Sequence, residues 1–328
     1  MRGWVVTALG TTPQLADLPA PHPGHGQARV QVAAVGLNFA DLLMLDGRYQ
    51  LRPALPFSPG MEFSGVVKSL GPGAVGPAPG TRVLGVCGSG ALAEQVCLSA
   101  SLLSVLPDRM PLTEAAGFSI THGTAHLALT HRARLQAGET LLVTGAAGGA
   151  GLAAVEIGKL MGARVIATAR GPLKCAAVRR AGADLVIDSD STGLKDALRA
   201  AGGVDVVYDT VGGPAFDEAL RATRPDGRLL VIGFASGNVP QVAANILLVK
   251  NLTVAGFWYG GYQTTAPDLV AGSMATSLDW YARGLLRPLE PRVLPFEDLL
   301  GGLALLRDRA VTGKVVISLD QPTTARSG

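Results

Sequence analysis

Leu141-Leu142-Val143-Thr144-Gly145-Ala146-Ala147-Gly148-Gly149-Ala150-Gly151 is the stretch on which the fold turns. An apolar, strand-like run enters a glycine-rich turn, and the segment that follows, Leu152 to Leu160, carries a helical pattern. Without Cβ atoms, Gly148 and Gly149 let a pyrophosphate approach the backbone, while Gly151 lets helix and strand pack closely. The helix end carries roughly half a positive elementary charge, and its free N–H groups face the anion. Glycine strings also mark ordinary tight turns, but here the flanking strand and helix favour the nucleotide reading.

Outward from this turn, the sequence after Pro111 alternates between strand and helix. Further β-runs are Arg164-Val165-Ile166-Ala167, Leu185-Val186-Ile187, Val204 to Tyr208 and Leu229 to Ile232. Helical segments lie between them at Leu173 to Ala181, Leu194 to Ala201 and Ala215 to Ala222. Regular strand–helix–strand succession implies right-handed crossovers and a parallel, doubly wound α/β sheet, extended by a strand from Asn251 to Phe257. Before Pro107 the texture differs: short β-branched runs (Trp4 to Thr7, Ala28 to Val32, Phe63 to Val67, Thr81 to Leu84) are separated by Gly and Pro turns. That punctuation indicates a small, β-rich barrel or sandwich. The tail holds a helix, roughly Phe296 to Arg307, and a last strand, Lys314 to Ser318, which could return to either domain.

Cofactor choice is read at the end of the strand after the turn, where NAD-binding units place an acid for the ribose hydroxyls. This chain has Ala169 there, then Arg170 and Lys174, and between Gly151 and Ala183 its only acid is Glu156. A 2′-phosphate would meet two cations and no opposing carboxylate, which favours NADPH. The alternative is that Arg170 and Lys174 are solvated surface charges.

Composition narrows the classes. The 328 residues suit two domains, and 48% hydrophobic against 16% charged residues excludes general disorder. A net charge of +3 comes with no Lys/Arg block, so nucleic acid is not an expected partner. Cys87, Cys97 and Cys175 are too scattered for a metal knuckle and too few for a disulfide scaffold, which suits a reducing cytoplasm. Trp4 to Leu9 is too short for a signal core, and the uncharged stretch Leu229 to Val249 is interrupted by Gly237, Asn238, Pro240, Gln241 and Asn245. Neither export nor a membrane span is expected.

Several motifs, in this order, resemble the medium-chain dehydrogenase/reductase superfamily and its zinc-free, NADPH-dependent quinone oxidoreductase (zeta-crystallin-like) branch. They are Gly36-Leu37-Asn38-Phe39-Ala40-Asp41 with Gly47-Arg48-Tyr49, Pro59 to Val67, Gly80-Thr81-Arg82-Val83, the Gly145 to Gly151 turn, and Thr312-Gly313-Lys314-Val315-Val316. The resemblance implies a β-rich GroES-like barrel domain from both ends of the chain (1–112 and 288–328). It places a Rossmann domain between them (113–287), with NADPH in the separating cleft. Zinc-dependent members carry Cys, His and Cys where this chain has Asn38, Met61 and a residue near Gly117. An amide, a thioether and a glycine do not make a zinc set, and Glu62 is left a structural task.

By the same resemblance, Asn38 and Thr121 approach the nicotinamide, and Tyr49 and Asp41 line the substrate pocket. Gly148, Gly149, Ala150, Gly151, Arg170 and Lys174 serve the phosphates. Phe234, Ala235 and Ser236 together with Phe257 and Trp258 close over the nicotinamide, and Lys314 is placed in the same region. Ordinary alternatives stand beside these roles: Asn38 satisfying backbone groups in a turn, and Tyr49 as a packed aromatic. His122 and His126, four residues apart, lack the intervening Glu of a zincin. The chain departs from the family in lacking a tyrosine near Asp188 or Ser189 and in its aromatic segment Phe257 to Tyr262.

The reaction expected is hydride transfer to a quinone or the β-carbon of an enone, with Tyr49 or water as proton source. The competing readings are a 2-alkenal or enoyl reductase with little quinone activity, and a non-catalytic NADPH-binding sensor or structural protein. A homodimer through the edge strand Asn251 to Phe257 is the expected assembly.

Overall fold

The computed structural model describes residues 1–191 and 193–319. Its first strands are β1 (Arg2–Val5), β2 (Gln14–Asp17), β3 (Gln27–Leu37), β4 (Glu62–Leu70), β5 (Arg82–Val86), β6 (Gln95–Ser99) and β7 (Leu103–Val105). There follow β8 (Thr140–Val143), β9 (Arg164–Ala169), β10 (Leu185–Asp188), β11 (Val204–Asp209), β12 (Thr223–Val231) and β13 (Thr253–Gly256). β14 (Arg292–Pro295) and β15 (Val315–Ser318) end the described strands. Two units result, Met1–Ile120 with the segment from Glu290 onward, and Thr121–Leu289. Residues 320–328, assigned from sequence to the β-rich domain, lie outside the described residues. The helix Leu112–Ala116 stays with the first unit: Ser64 Oγ donates to Leu112 O (2.6 Å), and a Cβ on Gly36 would meet Ala116 O at 2.3 Å.

In the first unit β3 is the common member. Its burial alternates from Gln27 to Gln31 and then becomes complete on both faces from Val32 to Leu37. The early half pairs antiparallel with β6 and the late half, Ala34–Leu37, with β15, while β4 lines the other edge. Register shifts between Arg29 and Val30 and between Val32 and Ala34 bend the strand, which lets it serve both partners. Val30, Val35, Leu37, Phe63, Val83, Leu92, Val315 and Ile317 form the core, each worth roughly 1.5–3 kcal/mol of burial. The last strand, which sequence leaves open between the domains, therefore belongs here, and it sets Lys314 beside the end of β3.

The second unit holds a six-stranded sheet in the order β10-β9-β8-β11-β12-β13, with every neighbouring pair parallel. The order reverses between β8 and β11, the switch point where open α/β sheets bind ligands beyond the carboxyl ends of their strands. Leu142, Ile166, Val207, Phe216, Leu220 and Leu229 pack the helices on one face. The helix after β8 starts at Gly149, three residues before the apolar pattern shows it, because glycine gives no helical signal of its own. The Leu229 to Val249 stretch divides into β12, a loop and the helix Ala244–Lys250. Among the described residues no helix is long and apolar enough to cross a membrane.

Candidate functional site

The turn after β8 is held by strands on both sides. Ala146 N–H donates to Thr168 O (2.8 Å) and Thr144 N–H to Tyr208 O (3.1 Å), and the Thr144 hydroxyl makes a short hydrogen bond to Asp209 Oδ1. Asp209 also accepts the amides of Val211 and Gly212, while burial raises the pKa of its carboxyl. Gly145 takes φ +61°, and a Cβ on Gly151 would stand 2.6 Å from Gly145 O and 2.7 Å from Ala146 Cα. Only glycine tolerates backbone that close. Gly148 is the N-cap of the twelve-residue helix Gly149–Leu160 and offers no capping side chain. The first-turn amides of Gly149, Ala150 and Gly151 have no intrahelical acceptor and are suited to a pyrophosphate.

β9 ends at buried Ala169; exposed Arg170 directly precedes the helix Gly171–Arg180, and Lys174 lies one turn on. One part of the sequence reading is corrected here: a carboxylate does oppose Arg170. It comes from the end of β10, where Asp188 is the register partner of Ala169 and Asp190 Oδ1 lies 3.0 Å from Arg170 Nε. The amides of Gly171 and Asp190, both 3.1 Å away, hold the Asp188 carboxyl below the usual range. Parallel pairing of β9 with β10 brings these acids, 19 or more residues on in sequence, beside Ala169 and Arg170.

In the first unit, Lys314 Nζ donates three hydrogen bonds, to Leu37 O (2.8 Å), Asn38 Oδ1 (2.8 Å) and Glu62 Oε1 (2.7 Å). Asn38 Nδ2 spends its hydrogens on Glu62 Oε1 (2.9 Å) and Gly36 O (3.2 Å), and Glu62 Oε2 accepts Ile120 N–H (2.8 Å). Glu62 is fully buried. Every donor of Lys314 and of the Asn38 amide is thereby engaged, so Asn38 can act on a ligand only as an acceptor, and Lys314 is committed to the Glu62 carboxylate.

This arrangement does not fit the catalytic zinc of the alcohol dehydrogenases. The amide oxygen at Asn38 faces an ammonium, Met61 offers a buried thioether, and the Lys314 stem lies 3.1–3.3 Å from where a Cβ on Gly117 would sit. Among the described residues no three His, Cys, Asp or Glu side chains gather as a metal set.

Asp41, which caps the helix Phe39–Leu45 by accepting Asn38 N–H (2.8 Å), is almost wholly buried and leaves Oδ1 without a partner. Burial raises its pKa to about 7, and the Asp41 charge adds to the burial that pushes Cys87 up to about 12. An unfolded Asp titrates near 3.9, so the folded chain binds the extra proton between about pH 4 and 7. The stability from this carboxyl is complete below that window and falls as pH rises through it. Asp41→Asn should therefore gain on the parent between pH 5 and pH 8, by on the order of 3 kcal/mol. Urea midpoints at the two pH values read this, and a difference that does not change with pH would rule out Asp41 as the titrating group. Tyr49 lies half-buried against the same core.

In the second unit Thr121 is buried, its Oγ1 3.0 Å from His122 Nδ1, and His122 Nε2 is 3.7 Å from Glu156. His126 instead lies against Ser273 Oγ (2.8 Å), so the two histidines do not share a ligand. Phe234, Ala235 and Ser236 form a loop tied back by Ala235 N–H to Thr210 O and Ser236 N–H to Val211 O. Phe257 is buried and stacks on Tyr262, whereas Trp258 stands 46% exposed. Tyr259, which sequence did not single out, brings its hydroxyl within 2.5 Å of the Cβ position of Gly123, explaining that glycine.

Two family descriptions match the chain: "Alcohol dehydrogenase GroES-like domain" over residues 24–108 and "Zinc-binding dehydrogenase" over 149–273. The mouse protein named quinone oxidoreductase-like protein 2 is 40% identical over 305 residues, 92% of this chain and 87% of that one. The Thermus thermophilus quinone oxidoreductase, solved also with NADPH, superposes with a TM-score of 0.87 at 37% identity, covering 97% of this chain and all of that one. The CurK enoyl reductase reaches 0.87 at 25% identity, covering 97% and 98%.

Proposed function

The chain belongs to the quinone oxidoreductase-like branch of the medium-chain dehydrogenase/reductase superfamily, and from that premise we propose that it is an NADPH-dependent enzyme reducing a quinone or other conjugated carbonyl compound without zinc. The observation that carries this is the ammonium of Lys314 on the Asn38 amide oxygen, where zinc-dependent relatives keep a ligand. With no Lewis acid to polarise a simple carbonyl, the acceptor must spread the arriving charge over its own conjugated system.

Bound NADPH supplies the hydride. The amides of Gly149, Ala150 and Gly151, opened by Gly148, hold the pyrophosphate, and Arg170 and Lys174 meet the 2′-phosphate. Thr121, Phe234, Ala235, Ser236, Phe257 and Trp258 are assigned to the nicotinamide end. Lys314 keeps Asn38 in one orientation. Tyr49 delivers the proton, and Asp41 lies on the acceptor side as a carboxyl that stays protonated up to about pH 7.

NADPH oxidation with a naphthoquinone, an open-chain enone and a saturated aldehyde tests the reading. Turnover is expected with the first two alone, and Tyr49→Phe should lower kcat by about 10²-fold without changing NADPH affinity. Aldehyde turnover that requires added zinc would sink the proposal, and an unchanged rate in Tyr49→Phe would remove that residue from the mechanism. The likeness to an enoyl reductase supports a second reading, which a faster enone than quinone rate would favour. Tight NADPH binding with no acceptor reduced would mark a sensor or structural protein.

A homodimer and a cytoplasmic setting complete the reading. β13 is the sheet's edge, and the neighbouring helix Ala244–Lys250 exposes Leu248 and Val249 by 78% and 77%, apolar surface that a second copy would cover. Sedimentation at micromolar concentration reads the assembly. The three cysteines are free, as a reducing compartment requires.

A further inference from the structure

The ends of β9 and β10 hold a charge arrangement that phosphate binding alone does not explain. Arg170 directly follows Ala169, the position where a nucleotide-binding unit meets the adenosine ribose, and its guanidinium already has a carboxylate partner in Asp190 at 3.0 Å. Asp190 is itself anchored, because its N–H donates to Asp188 Oδ1 at 3.1 Å. The same oxygen accepts Gly171 N–H at 3.1 Å, which pins the loop after β10 to the loop after β9. Two carboxylates thus stand beside Arg170, one of the cations that would receive a 2′-phosphate.

We propose that Asp190 is a selectivity residue: it competes with the adenosine 2′-phosphate for Arg170 and so narrows the preference for NADPH over NADH. This rests on the dinucleotide-binding function proposed above. An unphosphorylated ribose leaves the Arg170–Asp190 pair intact. A 2′-phosphate has to draw Arg170 away from Asp190 before it can pair with the guanidinium. The two paired side chains are 66% and 60% exposed, and such a pair is worth at most about a fivefold factor in an equilibrium constant. Asp190 therefore tunes the choice without blocking it. Lys174 and the positive end of the ten-residue helix Gly171–Arg180 remain on the side of the phosphate.

Titration of the full chain with NADPH and with NADH, followed by nicotinamide fluorescence, tests this in four proteins: the parent, Asp190→Asn, Arg170→Ala and the double variant. Asp190→Asn is expected to tighten NADPH by about three- to fivefold while NADH stays within about twofold, and added salt should shrink the gain. Arg170→Ala should weaken NADPH, and in its background Asp190→Asn should have no further effect on the ratio. A ratio unmoved by Asp190→Asn, or an equal shift for both dinucleotides, overturns the proposal while leaving the enzyme's function standing. An effect that persists without Arg170 also overturns it. If the parent binds neither dinucleotide, the functional reading and this proposal fall together.

Discussion

Gly151→Ala is expected to reduce NADPH affinity by about 10- to 100-fold and to lower the stability of the second unit. The added Cβ would stand 2.6 Å from Gly145 O, 2.7 Å from Ala146 Cα and 2.9 Å from Ala146 C, all backbone atoms. A side chain could swing aside, but this backbone is fixed by the Ala146 to Thr168 hydrogen bond and by the network of Thr144 and Asp209 beneath it. Overpacking of this kind costs about 1–3 kcal/mol or more, and 1.4 kcal/mol is a factor of ten in binding. Gly148→Ala is the comparison. Its Cβ would meet only Gly145 O, at 3.6 Å, so the variant should fold with parental stability and lose affinity alone. Thermal midpoints and NADPH titrations separate the two effects, and a Gly151→Ala protein with parental affinity would refute the placement of the phosphates on this turn.

Removing the Lys314 ammonium should produce the other large effect. Lys314→Met leaves the fully buried Glu62 carboxylate with only the Asn38 amide and Ile120 N–H, and breaking a buried pair from one side costs about 3–5 kcal/mol. For a unit of this size that corresponds to a fall in midpoint on the order of 10 °C. Glu62→Gln combined with Lys314→Met removes both charges and should recover part of the loss, because no charge then remains buried. Calorimetry of the parent, the single variant and the double variant decides the matter. A loss below about 1 kcal/mol in the single variant would show that solvent reaches the pair and that the network does not hold Asn38.

Much of the architecture was legible because local sequence carries it. The apolar run Leu141 to Val143, the glycines behind it and the spacing of the next β-runs led to a parallel, doubly wound sheet, and the observed strands follow those segments to within a few residues. Among the helices missed are Phe39–Leu45 and Pro267–Ala282. The first is only seven residues long, and the second mixes buried Ser273 and Ser277 with apolar positions, so neither shows a clear amphipathic stripe. At the site, the absence of zinc-type donors at Asn38, Met61 and Gly117 was visible in the residues themselves. What takes their place was not, since Lys314 lies 276 residues from Asn38 and reaches it only because β15 pairs with β3.

By itself, the sequence determined the alternating order of elements, the glycine turn and the residue types near the reacting groups. These depend on periodicity and on side-chain chemistry within a few positions of one another. Tertiary structure alone decided that Asp190 faces Arg170, that Lys314 and Glu62 close on Asn38, and that the Asp41 carboxyl keeps a buried oxygen without a partner. Such pairings arise from strand register and burial, which join residues far apart in the chain, and the energy of a charge depends on what surrounds it in space rather than on its neighbours in sequence.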